Sequence, residues 1–213
     1  LFSTRDGYKI TGLADDITAT GHTLLAFDFS CTPESGGSFS DLSVRQEVED
    51  LAEAVMFFRE KGIGDVHLMG SSMGGAVSLL CTAQGLVRPL SLILIATPVR
   101  LADVLAVNIT CDIADLPPDG YTSIDDVRVK NTFFHEVQTL DIESLLPGIN
   151  IPALVLHGTD DRVVDFWNAE QIASNLGGAV KLVAIKGGDH NLTDDNSMKI
   201  LRSGIVTWLS GRG

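Results

Sequence analysis

Positive charge is scarce in this chain of 213 residues: 15 Lys and Arg stand against 28 Asp and Glu, for a formal net charge of −13. Neutralising nucleic-acid phosphates needs clustered Lys and Arg, so the composition argues against that partner and disfavours anionic membrane surfaces. Long apolar runs are missing too. The longest, LSLILIA at 90–96, falls well short of the ~18 residues that cross a bilayer and suits a buried strand. Cysteines are few (Cys31, Cys81, Cys111), odd in number and in no CxxC pair, which points to reduced thiols rather than a disulfide framework. No basic stretch followed by an apolar one reads as a signal peptide. The expected location is therefore the cytoplasm, with an N-terminal extension left open because the chain begins at Leu1 rather than Met.

With 45% hydrophobic and 20% charged residues, the chain is a globular protein, long enough for one domain around one core. Short β-rich runs alternate with helical patterns, the signature of a parallel α/β sheet. HTLLAFDF (22–29), VHLMG (66–70), LSLILIAT (90–97), PALVLHG (152–158) and VKLVAI (180–185) read as strands. Most are apolar on both sides, as strands covered on both faces should be. Helices are predicted over 43–60, which opens with a Ser-x-x-Gln capping box, and over 73–83, 165–176 and 197–210. A less regular stretch, about 99–148, interrupts the alternation and carries Pro117-Pro118, Phe133 and Phe134. Insertions of this kind form lids or pocket walls, so Phe133 and Phe134 are candidate substrate contacts, or else they pack the insert onto the sheet.

The stretch HLMGSSMGG (67–75) places Gly70-Ser71-Ser72-Met73-Gly74 between a strand and a helix, the context of a G-x-S-x-G nucleophile elbow. The tight turn lifts the Ser72 hydroxyl above the sheet edge. The following helix points its N-terminus, with the Met73 N–H, at a developing oxyanion. Ser71 is off the centre of the pattern and supports at most.

A serine nucleophile needs a base, and the base needs a group that holds its tautomer. After PALVLHG stands Thr159-Asp160-Asp161-Arg162, where either acid can serve; the His-Gly-x-x-Asp spacing favours Asp161. After VKLVAI stands His190, the one histidine of five past the last strand. His22, His67, His135 and His157 read as structural. Asp189 is adjacent to His190, but neighbouring side chains rarely face each other. All three candidates, Ser72, Asp161 and His190, fall at C-terminal strand ends, where an open α/β sheet binds its ligand.

On GSSMGG, HGTDDRVV, GGDHN and, more weakly, FDFSCTPES, the chain resembles the α/β-hydrolase superfamily over essentially its whole length. It looks most like the small esterases and acyl hydrolases, the cinnamoyl- or feruloyl-esterase-like group and the serine-aminopeptidase-like lipases. The resemblance implies an α/β-hydrolase fold: a mostly parallel central sheet flanked by helices, with a small lid-like insertion. It also implies hydrolysis of a small-molecule carboxylic ester through an acyl-enzyme on Ser72, without metal or organic cofactor. The alternatives are a ligand-binding protein on the same fold, or acyl transfer, peroxide-dependent oxidation or peptide hydrolysis by the same triad. The acyl chain and the oligomeric state are not legible.

Two places depart from that pattern. Cys31 and Pro33 stand where the family's loop after the strand has glycines. More seriously, RDGYKITG (5–12), which reads as an outer strand, runs directly into the helix-like LADDITATG (13–21). The inner strand between them, with the loop whose backbone N–H completes the oxyanion hole, is missing. Its absence would leave two strands ~10 Å apart, with buried unpaired backbone groups at ~1–3 kcal/mol each. A segment of roughly 15–30 residues is therefore expected between Gly12 and Leu13 of the natural chain; the alternative is that residues 8–12 move inward.

Overall fold

The chain opens with a helix where a strand was expected. In the computed structural model, which describes residues 4–32, 34–106, 109, 112–124 and 127–211, α1 (Tyr8–Ala19) runs unbroken through Gly12 and Leu13. The sequence GYKIT is thus helical, and the physical reason is spacing. Lys9, Leu13 and Ile17 recur every four residues, which puts them on one helix face. Leu13 and Ile17 are buried there. Pro33 and Cys111 lie outside the described residues.

The second departure is HTLLAFDF. Residues 22–29 are extended but join no ladder. They nevertheless alternate as a strand does. Leu24 packs against the core under one sheet face, and Phe27 and Phe29 pack against the core under the other. At the start of the segment, His22 sets its ring edge-on to His67, 5.4 Å between centroids.

Next comes α2 (Val44–Glu60), capped by Ser43, whose hydroxyl accepts from Gln46 N–H at 3.3 Å. The Gln46 side chain completes no reciprocal cap and binds Asp50 instead. The remaining four expected strands form: β1 (His67–Ser71), followed by α3 (Met73–Ala83), and β2 (Ser91–Ile95), whose five residues are all buried. The insert then holds α4 (Leu101–Ala106), an antiparallel hairpin of β3 (Tyr121–Ile124) and β4 (Val127–Lys130), α5 (Asn131–Thr139) and α6 (Ile142–Leu145). The sheet resumes with β5 (Ala153–Gly158), α7 (Trp167–Asn175), β6 (Val180–Ile185) and α8 (Asp195–Ser210).

All neighbours in the order β1-β2-β5-β6 are parallel. Side chains alternate across it. Leu92, Leu94, Ala153 and Val155 face the larger core, with α2, α3, α5 and α7; Ile93, Ile95, Leu154 and Leu156 face the smaller one, with α1 and α8. The insert is clasped to the body by Glu136 of α5. Its carboxylate accepts from the N–H groups of Val44 (3.1 Å) and Arg45 (2.7 Å), capping α2 from 92 and 91 residues away. Lys130 pairs with Asp41 beside it. Phe133 and Phe134 are 1% and 0% exposed in the larger core, ring to ring at 5.5 Å. They pack the insert onto the sheet rather than line an open pocket, which corrects their candidacy as substrate contacts.

Under this clasp lies Glu47, 5% exposed, with one carboxylate oxygen lacking a partner. Burial, with Asp50 and Glu136 adding, pushes its pKa up to about 8 from an ordinary 4.5. The folded chain therefore holds a proton that the unfolded chain has released. The stability Glu47 contributes is full below pH 4.5 and is lost as pH rises through about 8. Glu47→Gln is expected to remove that slope from denaturant-unfolding free energies across the same window; an unchanged slope counts against a protonated Glu47.

Candidate active site

The elbow is built by crowding. Ser72 has φ 53° and ψ −119°, outside the broad basins of L-residues. Its N–H is tied to Ile95 C=O at 2.8 Å, and its own C=O accepts from Gly75 and Ala76, the first turn of α3. A Cβ on Gly70 would lie 2.3 Å from Gly74 O, and one on Gly75 would lie 2.0 Å from Thr97 Oγ1. A Cβ on Gly74 would meet nothing within 4 Å. The steric demand thus falls on Gly70 and Gly75, and only the first of the motif's two glycines is needed for space.

His190, in the loop after β6, brings Nε2 to 3.1 Å from Ser72 Oγ and Nδ1 to 2.8 Å from Asp161 Oδ2. A carboxylate only accepts, so Nδ1 carries the proton, and Nε2 is left to accept from the Ser72 hydroxyl. Asp161 is the acid that reaches the imidazole. Asp160 is exposed and bound to Thr159 Oγ1, while Asp189 accepts from Leu192 N–H and shapes the turn. The Asp161 side chain is fully buried. Burial alone would raise its pKa, but hydrogen bonds from His157, His190 and the Val164 backbone outweigh burial and hold it well below the ordinary carboxylate range.

Two neighbours had no signal in the sequence as site residues. His157 is fully buried, donates Nε2–H to Val164 C=O at 2.8 Å, and lies 3.3 Å from Asp161 Oδ2. It therefore braces the acid from behind, in addition to any packing role. Lys9 of α1 donates from Nζ to Ser71 Oγ at 2.8 Å, one residue from the nucleophile. Cys31 takes φ 70° without being glycine.

A surface hollow of about 610 Å³, lined by Cys31, Asp41, Arg45 and Glu49 among others, touches none of Ser72, Asp161 and His190. Among the described residues, no group of three His, Cys, Asp or Glu is placed to hold a metal ion. Nor is any helix among them long and apolar enough to cross a membrane.

The profile of the alpha/beta hydrolase family matches residues 4–199. The chain belongs to that family. It is 28% identical over 219 residues to carbamate hydrolase RutD of Pseudomonas savastanoi pv. phaseolicola, covering 85% of this chain and 83% of that protein. Among solved structures, the alpha/beta hydrolase chain superposes on Est1E of Butyrivibrio proteoclasticus with ferulic acid bound. That match has a TM-score of 0.89 and 18% identity, over 99% of this chain and 85% of the other. It also superposes on a monoacylglycerol lipase of Paleococcus ferrophilus, with a TM-score of 0.72 and 17% identity, over 94% and 88%. At these identities the structural likenesses speak to the fold.

Proposed function

We propose that the protein is a serine hydrolase that cleaves a small or medium carboxylic ester through an acyl-enzyme on Ser72. The observation that carries this reading is the unbroken path Ser72 Oγ–His190 Nε2 at 3.1 Å and His190 Nδ1–Asp161 Oδ2 at 2.8 Å. In the first half-reaction, the Ser72 proton passes to His190 Nε2 as Oγ bonds to the ester carbon, whose oxygen becomes an oxyanion near the Met73 N–H. Collapse breaks the carbon–oxygen bond to the alcohol, which leaves with the proton from His190. Water repeats the sequence on the acyl-enzyme and releases the acid. Asp161 stays ionised throughout and steadies the transient imidazolium.

Ser72→Ala is expected to abolish covalent labelling by a fluorophosphonate and to lower turnover of p-nitrophenyl acetate by about 10⁴–10⁶, with the circular dichroism unchanged. A wild-type rate in that variant overturns the mechanism. No labelling of the unmodified protein, together with saturable binding of a small ligand, supports instead a non-catalytic protein on the same fold. Acceptor and acyl preference follow pocket shape rather than the triad, so p-nitrophenyl esters of rising length should be screened beside hydroxycinnamate esters. The RutD relative, named for a carbamate, adds carbamate esters to that panel.

A further inference from the structure

Lys9 is a half-buried cation without a direct carboxylate partner in an acidic protein. Other paired cations stand at the surface: Arg45 with Glu49, Arg100 with Glu143, Lys130 with Asp41 and Arg202 with Asp16. Among the described residues, no carboxylate lies within ion-pair distance of Lys9, whose bond runs to the Ser71 hydroxyl. Its position is fixed by packing. Leu13 and Ile17, four and eight residues on, bury the same face of α1 against Ile93, Ile95 and the residues of α8. Gly12, on the adjoining face, lies so close to α8 that a Cβ there would meet Met198 at 2.9 Å. The first turn of α1 is thereby held beside the end of β1, with Lys9 leaning over the elbow.

A site of this kind needs two donors for the oxyanion, and the chain shows one, the Met73 N–H. Among the described residues no loop brings a second backbone donor there, and α1, through Lys9, reaches Ser71 beside the nucleophile. Building on the esterase reading, we propose that Lys9 is a catalytic residue whose ammonium donates to the oxyanion formed on Ser72, in place of such a loop. The ammonium has three donors and spends one on Ser71 at rest. A small swing of a four-carbon stem turns another towards the substrate oxygen. Partial burial strengthens the interaction, because a preorganised charge shielded from water acts on developing charge more than it would in bulk solvent. Burial lowers the Lys9 pKa from its ordinary 10.5, while Asp161 and Asp189, the ionisable groups acting on it, partly restore it. His190 is hydrogen-bonded to the first of these.

The test compares Lys9→Met and Lys9→Arg with the unmodified protein on a p-nitrophenyl ester. Lys9→Met is expected to lose about 10²–10³ in kcat with KM nearly unchanged, as loss of one oxyanion donor does. Affinity for a trifluoromethyl ketone, which forms a tetrahedral oxyanion on serine, should fall in parallel. Stoichiometric fluorophosphonate labelling of the variant shows that Ser72 and His190 remain in place. Lys9→Arg is expected to keep part of the rate and to move the alkaline limb of kcat/KM upward, because arginine does not lose its proton. Wild-type kcat and ketone affinity in Lys9→Met overturn the proposal. If that variant does not fold, an unmoved alkaline limb in Lys9→Arg overturns it equally. Absence of labelling and turnover in the unmodified protein would instead be a failure of the esterase reading, and the two are thus told apart.

Discussion

Asp161→Asn is expected to lower kcat on a short p-nitrophenyl ester by about 10⁴, with little change in fold. The asparagine keeps an oxygen for the Val163 and Val164 N–H groups, which bind Asp161 Oδ1 at 2.9 and 2.8 Å, so the turn survives. The other end of the side chain changes sign as a hydrogen-bonding group. It presents N–H where Oδ2 accepted from His190 Nδ1, and the imidazole answers by placing its proton on Nε2. That nitrogen then no longer accepts from the Ser72 hydroxyl, and general-base catalysis stops. His157 adds to the penalty, because its Nε2, which donates to Val164 C=O, lies 3.3 Å from the same oxygen and would stand beside a second donor. The pH dependence follows from the direction of the Asp161 shift. A carboxyl whose folded pKa lies below its unfolded one gives stability that is present above the unfolded value, about 3.8, and is lost as pH falls through the folded one. Asp161 is therefore ionised over the working range. Less than a tenfold loss in Asp161→Asn, measured by steady-state kinetics beside a melting curve, would remove Asp161 from the triad.

Most of the site was legible because local and global signals agree there. β2, whose five residues are all buried, reads as a strand covered on both faces, and Ser43 before α2 reads as a cap. The elbow, the acid turn and His190 each follow such a run, so chain order alone brings them to one edge. The N-terminal region was not legible for the opposite reason. Ile10 and Thr11 favour a strand by local propensity, but a strand exists only with a neighbour, and whether one is present is a property of the whole sheet. The same holds for 22–29, which keeps strand-like alternation and gains no ladder. Lys9 and His157 belong to no spacing pattern that announces chemistry; one is set by helix packing 62 residues from its partner, the other by the turn around Asp161.

The segment of roughly 15–30 residues between Gly12 and Leu13 is a proposal about the natural polypeptide. Lys9 acts in the chain without it, where α1 is continuous. The mass of the natural protein against 22.7 kDa separates the two forms.

Gly70→Ala is expected to damage stability and activity together, by about 3 kcal/mol or more and by about 10² in kcat/KM. A Cβ at this position would stand 2.3 Å from Gly74 O, 2.4 Å from Gly74 C and 2.5 Å from Gly75 N. All three are backbone atoms of the first turn of α3, so no side-chain rotation relieves the contact. The helix cannot simply retreat, because Gly75 is already pressed on Thr97 from the other side; a Cβ there would meet Oγ1 at 2.0 Å. β1 and α3 must then separate, and Ser72, held at φ 53° between them, moves off His190. A displacement of that size is enough to lose the alignment on which catalysis depends. Gly74→Ala supplies the contrast. Open space surrounds a Cβ at that position, and replacing glycine by alanine in a helix is worth about 1 kcal/mol in favour of the fold. Its melting temperature is therefore expected to hold or rise, while that of Gly70→Ala falls by several degrees. Equal melting of the two variants would show that the elbow does not owe its shape to the crowding between β1 and α3.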